Sequence, residues 1–159
     1  MKRGHESPLE FGDIAVEFVT SRDVLAEITR HRLASFAVQS QRYVLDNKSG
    51  DISFIKPAFW TEDLKIAKDW AMTKAWEKAM FDAEAHYSLM VNELGMKPED
   101  ARKALPNSTA CIICMKANIR EWHHIYELRS SPAAYPEMRV LMGLFAQEVQ
   151  KVFPMGEDE

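Results

Sequence analysis

No glycine-rich phosphate loop occurs in this 159-residue sequence: G-x-G-x-x-G, G-x-x-x-x-G-K and G-x-S-x-G are all absent. Those absences remove the dinucleotide-fold, phosphate-loop and hydrolase-elbow readings. H-E-x-x-H is missing too, so the adjacent His123 and His124 are no zinc-protease site, and His123 reads as a core or surface residue. Cysteine is scarce. Its two copies, Cys111 and Cys114, make a C-x-x-C inside the apolar run ACIICMKA, with no second pair to complete a zinc site, and they read as structural. No apolar run approaches the ~20 residues of a membrane span. The start of the chain lacks the apolar segment of a signal peptide, so a cytoplasmic location with no membrane partner is the expectation. A net charge of −4 gives no bulk reason to expect nucleic acid as a partner.

What is present is the balance of a soluble globular protein, 47% apolar and 28% charged, at a length that fits a single domain over 1–159. Asp13 to Thr20 alternates with Ile14, Val16 and Phe18 on one face and reads as a strand. Ser21 is placed to cap a short helix whose apolar face is Val24, Leu25 and Ile28, and which delivers Arg30, His31 and Arg32 at its C-terminal end. After the turn DNKSGD, the run ISFIKPAFW is strand-like until Pro57. From Thr61 to Gly95 a long helix is expected, with Ile66, Trp70, Thr73, Trp76, Met80, Ala83, Tyr87, Met90 and Leu94 at steps of three and four. At ~1.5 Å per residue it makes a rod of roughly 45 Å, longer than such a domain needs, and rods of that kind usually pack on another subunit.

A short helix over Lys97 to Leu105, a buried strand over Ser108 to Ala117, a helix capped by Asn118 and a last helix after Pro136 complete the pattern. The last carries Met138, Leu141, Met142, Phe145, Val149 and Val152 as its apolar stripe. The chain therefore reads as α+β.

The chemistry concentrates in Arg30 to Tyr43, RHRLASFAVQSQRY. Arg30, Arg32 and Arg42 with Ser40 offer the charge and planar donors that bind phosphate, although the helix dipole alone would explain any single arginine there. Arg102, Arg120 and Arg129 form a second basic set on or beside expected helices. An acidic protein with arginines so placed, beside His5, His31, His123 and His124, reads as a binder of small phosphorylated molecules. Glu99 and Asp100, adjacent in a first helical turn, read as dipole partners rather than acid–base catalysts.

RHRLASFAVQSQRY also closely resembles the signature of flavin-dependent thymidylate synthases, RHR followed after a spacer by Ser, Arg and often Tyr, met here by Arg30-His31-Arg32, Ser40, Arg42 and Tyr43. Three further segments resemble that family in the same order: GHESPLE at the start, EDARKALP at Glu99 to Pro106, and NIREWHHIYELR from Asn118 to Arg129. The resemblance implies a homotetramer of subunits with an antiparallel sheet and long helices, its sites shared between chains. It also implies reductive methylation of dUMP to dTMP, with FAD as hydride carrier and NADPH and methylenetetrahydrofolate as co-substrates. By position, His5, Ser7, Arg30, His31, Arg32, Asn118, Arg120 and His124 would hold FAD. Glu27, Arg30, Ser40, Gln41, Arg42 and Arg102 would bind dUMP, the RHR triplet serving mainly flavin and Ser40 to Arg42 the phosphate. Arg129 would sit by the uracil ring as the catalytic group, favouring its N3-deprotonated form and a more nucleophilic C5.

Departures accompany the resemblance. Val38 stands on the cofactor side where many family members carry an acid or Gln, so that hydrogen bond is lost or passes to Gln39 toward the substrate. Phe11 stands where a His is usual. Family chains carry several tens of residues ahead of the GHESPLE-like segment, which here lies at the very start. A non-catalytic nucleotide-binding homologue with the same tetrameric fold is the second reading, and a helical adaptor built on the long rod, with no nucleotide affinity, a third.

Overall fold

The structure, a computed structural model, describes residues 6–40, 52–58 and 67–151. Among them are three strands, β1 (Asp13–Ser21), β2 (Ser35–Val38) and β3 (Ala110–Asn118), in one sheet of order β1-β3-β2. The amide of Ile119 donates to Gly12 O and that of Arg22 to Thr109 O, so β1 and β3 run antiparallel. Helices are α1 (Arg22–Ile28), α2 (Ala67–Ser88), α3 (Pro98–Ala101), α4 (Ile119–Ser130) and α5 (Pro136–Val149). The expected α+β class is what the chain adopts. By contact density it groups into two compact units, one of 1–18, 26–37 and 113–159, the other of 19–25 and 38–112.

In the first unit the core is aromatic. Phe18, Trp122 and Phe145 are buried together, with Trp122 stacked on Phe145 at a centroid distance of 4.5 Å. The Trp122 indole Nε1–H donates to Ile14 O at 3.0 Å, so the one polar atom of the largest core residue is satisfied. Met138, Leu141, Met142, Phe145 and Val149 form the buried stripe of α5, as their spacing predicts; Val152 lies outside the described residues. Asn118 caps α4 with its side-chain oxygen, which accepts from Glu121 N at 2.8 Å.

In the second unit Ile52, Tyr87 and Ala101 are buried with Phe54, Met90, Val91 and Leu105 packed around them. The expected long helix is described from Ala67; its proposed start at Thr61 and Ile66 lie outside the described residues. It passes through a π turn, Leu89–Glu93, and stops at Gly95, whose φ of +67° is the left-handed conformation that glycine adopts without strain. Its expected stripe is only partly buried: Thr73 and Tyr87 are covered, while Trp70 is 54% and Leu94 69% exposed.

Three local expectations are corrected. Ser21 does not cap α1; it ends β1, and its buried hydroxyl has no hydrogen-bond partner among the described residues. The amides of Arg22 and Asp23 are instead taken up by Asn107 O, and that of Val24 by the Asp23 carboxylate. The basic triplet does follow the C-terminal end of α1 at Ile28, as expected. ISFIKPAFW forms no strand over its described residues 52–58; Phe54 makes a single antiparallel bridge to Thr109. Finally, KPEDARKAL divides into α3 and a 3-10 turn, Arg102–Ala104. The C-x-x-C lies on β3, where residues three apart point to opposite faces, and neither thiol forms a disulfide. No group of three or more metal ligands converges among the described residues, and no described helix is long and apolar enough to cross a membrane.

Candidate functional site

Helix α4 carries two candidate faces, and its sequence dictates both. Trp122, Ile125 and Arg129 recur at three and four, so anchoring Trp122 and Ile125 in the core draws Arg129 onto the same side. Arg120, His123, His124 and Glu127 repeat the same spacing on another side and line a groove of about 610 Å³.

On the first face Arg129 is nearly covered, its side chain 15% exposed. Its Nε–H donates to His31 Nε2, its Nη1–H to Glu27 Oε2 and its Nη2–H to the Glu27 carbonyl, each at 3.0 Å. Among the described residues, three of the five N–H bonds are thereby fixed and two are left over. Glu27, on α1, also lies 3.6 Å from the exposed Arg30. His31 is buried, and its pKa is held below the ordinary imidazole value first by burial, then by the charge of Arg129 and by the nearby His124, with Glu27 pulling the other way.

On the second face Arg120 is exposed, and its guanidinium lies 3.0 Å from Glu6 and forms a short ion pair with Glu10, both near the turn Ser7–Glu10. These carboxylates hold the guanidinium pKa above its usual value, the Glu10 hydrogen bond being the largest cause. Gly12 joins this turn to the start of α4. A Cβ there would stand 2.7 Å from Ile119 Cδ1, and the Gly12 carbonyl accepts the Ile119 amide at 2.9 Å. His123 lines the groove with a buried Nε2 that has no hydrogen-bond partner among the described residues. Asn118 uses its oxygen as the helix cap and keeps its amide NH₂ for other partners.

The structure thus brings together Glu27, Arg30, His31 and Arg129, and separately Asn118, Arg120 and His124. Ser7 and Arg32 are exposed in the same unit. Val38, Gln39, Ser40 and Arg102 belong to the other unit: Val38 is exposed, the Gln39 amide donates to Ile112 O, and Arg102 Nε donates to Glu99 O. His5, Gln41, Arg42 and Tyr43 lie outside the described residues. Sequence reasoning missed the roles of Glu6 and Glu10 as Arg120 partners and of Leu33, His123 and Glu127 as groove lining. The four-residue spacing of Glu6 and Glu10 was the available signal.

A conserved-family model, "Thymidylate synthase complementing protein", matches residues 1–155. The flavin-dependent thymidylate synthase of Pyrococcus furiosus is 33% identical over 150 residues, 93% of this chain and 59% of that one. A probable flavin-dependent thymidylate synthase of Mycobacterium phage D29 is 34% identical over 95% of this chain and 66% of its own length. The flavin-dependent thymidylate synthase of Haloarcula marismortui is 32% identical over 100% of this chain and 73% of that one. The chain thus spans 59% of the length of the Pyrococcus relative. Among solved structures, thymidylate synthase X from Helicobacter pylori, crystallised with FAD and dUMP, matches with a TM-score of 0.69 at 24% identity, over 90% of this chain and 70% of that one.

Proposed function

The chain belongs to the thymidylate synthase complementing protein family, and from that premise we propose that it is a flavin-dependent thymidylate synthase. The reaction converts dUMP, methylenetetrahydrofolate, NADPH and a proton to dTMP, tetrahydrofolate and NADP⁺. The observation that carries the reading is the fixation of Arg129 by Glu27 and His31.

A guanidinium held by three hydrogen bonds keeps its charge at one place and needs no reorganisation when a neighbouring ring gains negative charge. With two N–H bonds left among the described residues, Arg129 is suited to the anionic form of uracil, deprotonated at N3, whose C5 then attacks the methylene carbon. Glu27, as partner of Arg129, positions the cation in this reading. Arg42, Ser40, Gln41, Gln39 and Arg102 remain the proposed dUMP contacts, with Arg30 between the two ligands.

The flavin side rests on the groove. Its Arg120 and the Asn118 amide are donors, the His123 Nε2, without a partner among the described residues, can be one, and Arg30 and Arg32 are exposed cations of the same unit. With the Glu6 and Glu10 carboxylates turned aside from Arg120, and Glu121 and Glu127 also in the lining, this set is the one offered to a ligand with a diphosphate and carbonyl acceptors. His5, Ser7, Arg30, His31, Arg32, Val38, Asn118, Arg120 and His124 are the proposed flavin positions. FAD, when bound, supplies the hydride that NADPH delivers. A homotetramer is part of the proposal, supported by the exposed Trp70, Met72 and Phe81 of α2, and a cytoplasmic location is proposed with it.

Titrating dUMP into FAD-loaded protein and following tritium release from the uracil C5 tests the reading. Release that requires methylenetetrahydrofolate, accompanied by NADPH oxidation, is expected. Binding of FAD and dUMP without release overturns the enzyme and leaves a nucleotide-binding homologue.

A further inference from the structure

We infer that His31 is a positioning residue for Arg129: its neutral imidazole fixes the plane of the guanidinium through Nε2, and a proton on that nitrogen unlocks it. The consequence for dUMP rests on the proposed function; the lock itself does not.

The argument begins with donor chemistry. A guanidinium has five N–H donors, no acceptor, and keeps its proton at any accessible pH. Arg129 Nε lies 3.0 Å from His31 Nε2, so Nε2 carries the lone pair and the ring proton is on Nδ1. Nε is the guanidinium nitrogen nearest the backbone, and holding it sets the rotation of the whole fork. The Glu27 carboxylate and the Glu27 carbonyl then hold Nη1 and Nη2. Three acceptors on one short segment define one plane.

Protonated, His31 would point Nε2–H at Arg129 Nε–H, setting donor against donor and cation against cation. Arginine cannot yield the proton, so its fork must turn away from His31. The charged and titratable groups facing the imidazole are Glu27 from α1 and Arg129 and His124 from α4. Burial and the two α4 groups favour the neutral ring, and Glu27 alone favours the charged one, so the lock holds at neutral pH and opens on the acid side of 6.5. His31 is 7% exposed with its acceptor nitrogen turned to Arg129, so that nitrogen serves the arginine and the proposed flavin contact would fall to the rest of the ring.

Two measurements test this. In ¹⁵N-labelled full-length protein without ligands, His31 should show the Nδ1–H tautomer at neutral pH, and the Arg129 Nε–H signal should lose its exchange protection at the His31 midpoint. An Nε2–H tautomer, or Arg129 protection indifferent to that midpoint, overturns the inference. The second measurement is the pH profile of tritium release at limiting dUMP. His31→Leu should lower kcat/KM for dUMP at every pH. In His31→Gln the amide oxygen accepts but does not titrate, so this variant should recover at least about tenfold of that loss, the effect of a 1.4 kcal/mol hydrogen bond. It should also lack the wild-type acid limb. Persistence of that limb in His31→Gln, or an unchanged kcat/KM in His31→Leu, also overturns the inference. Absence of release from wild type at all pH values sinks the proposed function, while the nitrogen measurement still decides the lock.

Discussion

Arg120 and Arg129 stand nine positions apart on α4, which at 3.6 residues per turn places them on opposite sides of one helix. Arg129 is nearly covered and held by one carboxylate, one carbonyl and one imidazole. Arg120 is exposed and held by two carboxylates that face water. The first arrangement fixes direction and the second mainly balances charge. A covered cation bound at three atoms keeps its orientation when a substrate arrives, whereas surface ion pairs contribute only about 0–1 kcal/mol and are readily exchanged for another anion. One helix therefore presents a rigid arginine suited to chemistry and an exchangeable one suited to binding.

Removing the rigid member should have the largest effect. Arg129→Ala is expected to lower kcat for dTMP formation by about 10²–10³-fold, the usual cost of losing a fixed electrostatic stabiliser. Flavin absorbance of the loaded variant should be retained; wild-type turnover would remove Arg129 from its role. Glu27→Ala keeps the arginine but takes away its carboxylate. It should destabilise the protein by about 1–3 kcal/mol in urea unfolding and weaken dUMP binding in calorimetry, and an unchanged midpoint would show that His31 and the carbonyl suffice.

Breaking the exchangeable member should act on binding instead. Arg120→Ala is expected to weaken FAD affinity roughly tenfold to a hundredfold at low salt, as for one charged hydrogen bond. That difference should shrink as salt rises, and an equal loss at high salt would make Arg120 a second rigid site. The smallest effect is on stability against pH. Because the folded-state pKa of His31 lies below 6.5, its contribution is fully present above 6.5. It is lost as pH falls from there toward the folded value, at no more than ~1.4 kcal/mol per pH unit. Difference curves between wild type and His31→Gln would isolate it, and a loss located above 6.5 would contradict the sign.

Where a partner lies close in sequence, the residues announced it. The Asn118 cap, the Gly95 stop and the α5 stripe are local, and each formed as its spacing indicated. Ser21 misled because the amides it was expected to cap are taken by Asn107, a partner reached only through the sheet. The site shows the same division. RHR and N-x-R-E could be read as motifs, but the contact between Arg129 and His31 spans 98 positions, and nothing local distinguishes a histidine facing a ligand from one facing an arginine. The partial exposure of the α2 stripe was equally hidden, since periodicity reports a face and not what covers it.

Gly12 finally bears on how quickly the groove can fill. The 3-10 turn that carries Glu10 packs on α4, and the Gly12–Ile119 hydrogen bond ties the chain between them to the first turn of that helix. The backbone on both sides of Arg120 is therefore joined at its root. If the groove takes an anion as proposed, that anion would have only to displace the Glu6 and Glu10 carboxylates from Arg120, a side-chain exchange on the ps–ns scale rather than a μs–ms backbone opening. Occupation of the groove would then be paced by diffusion and ionic strength.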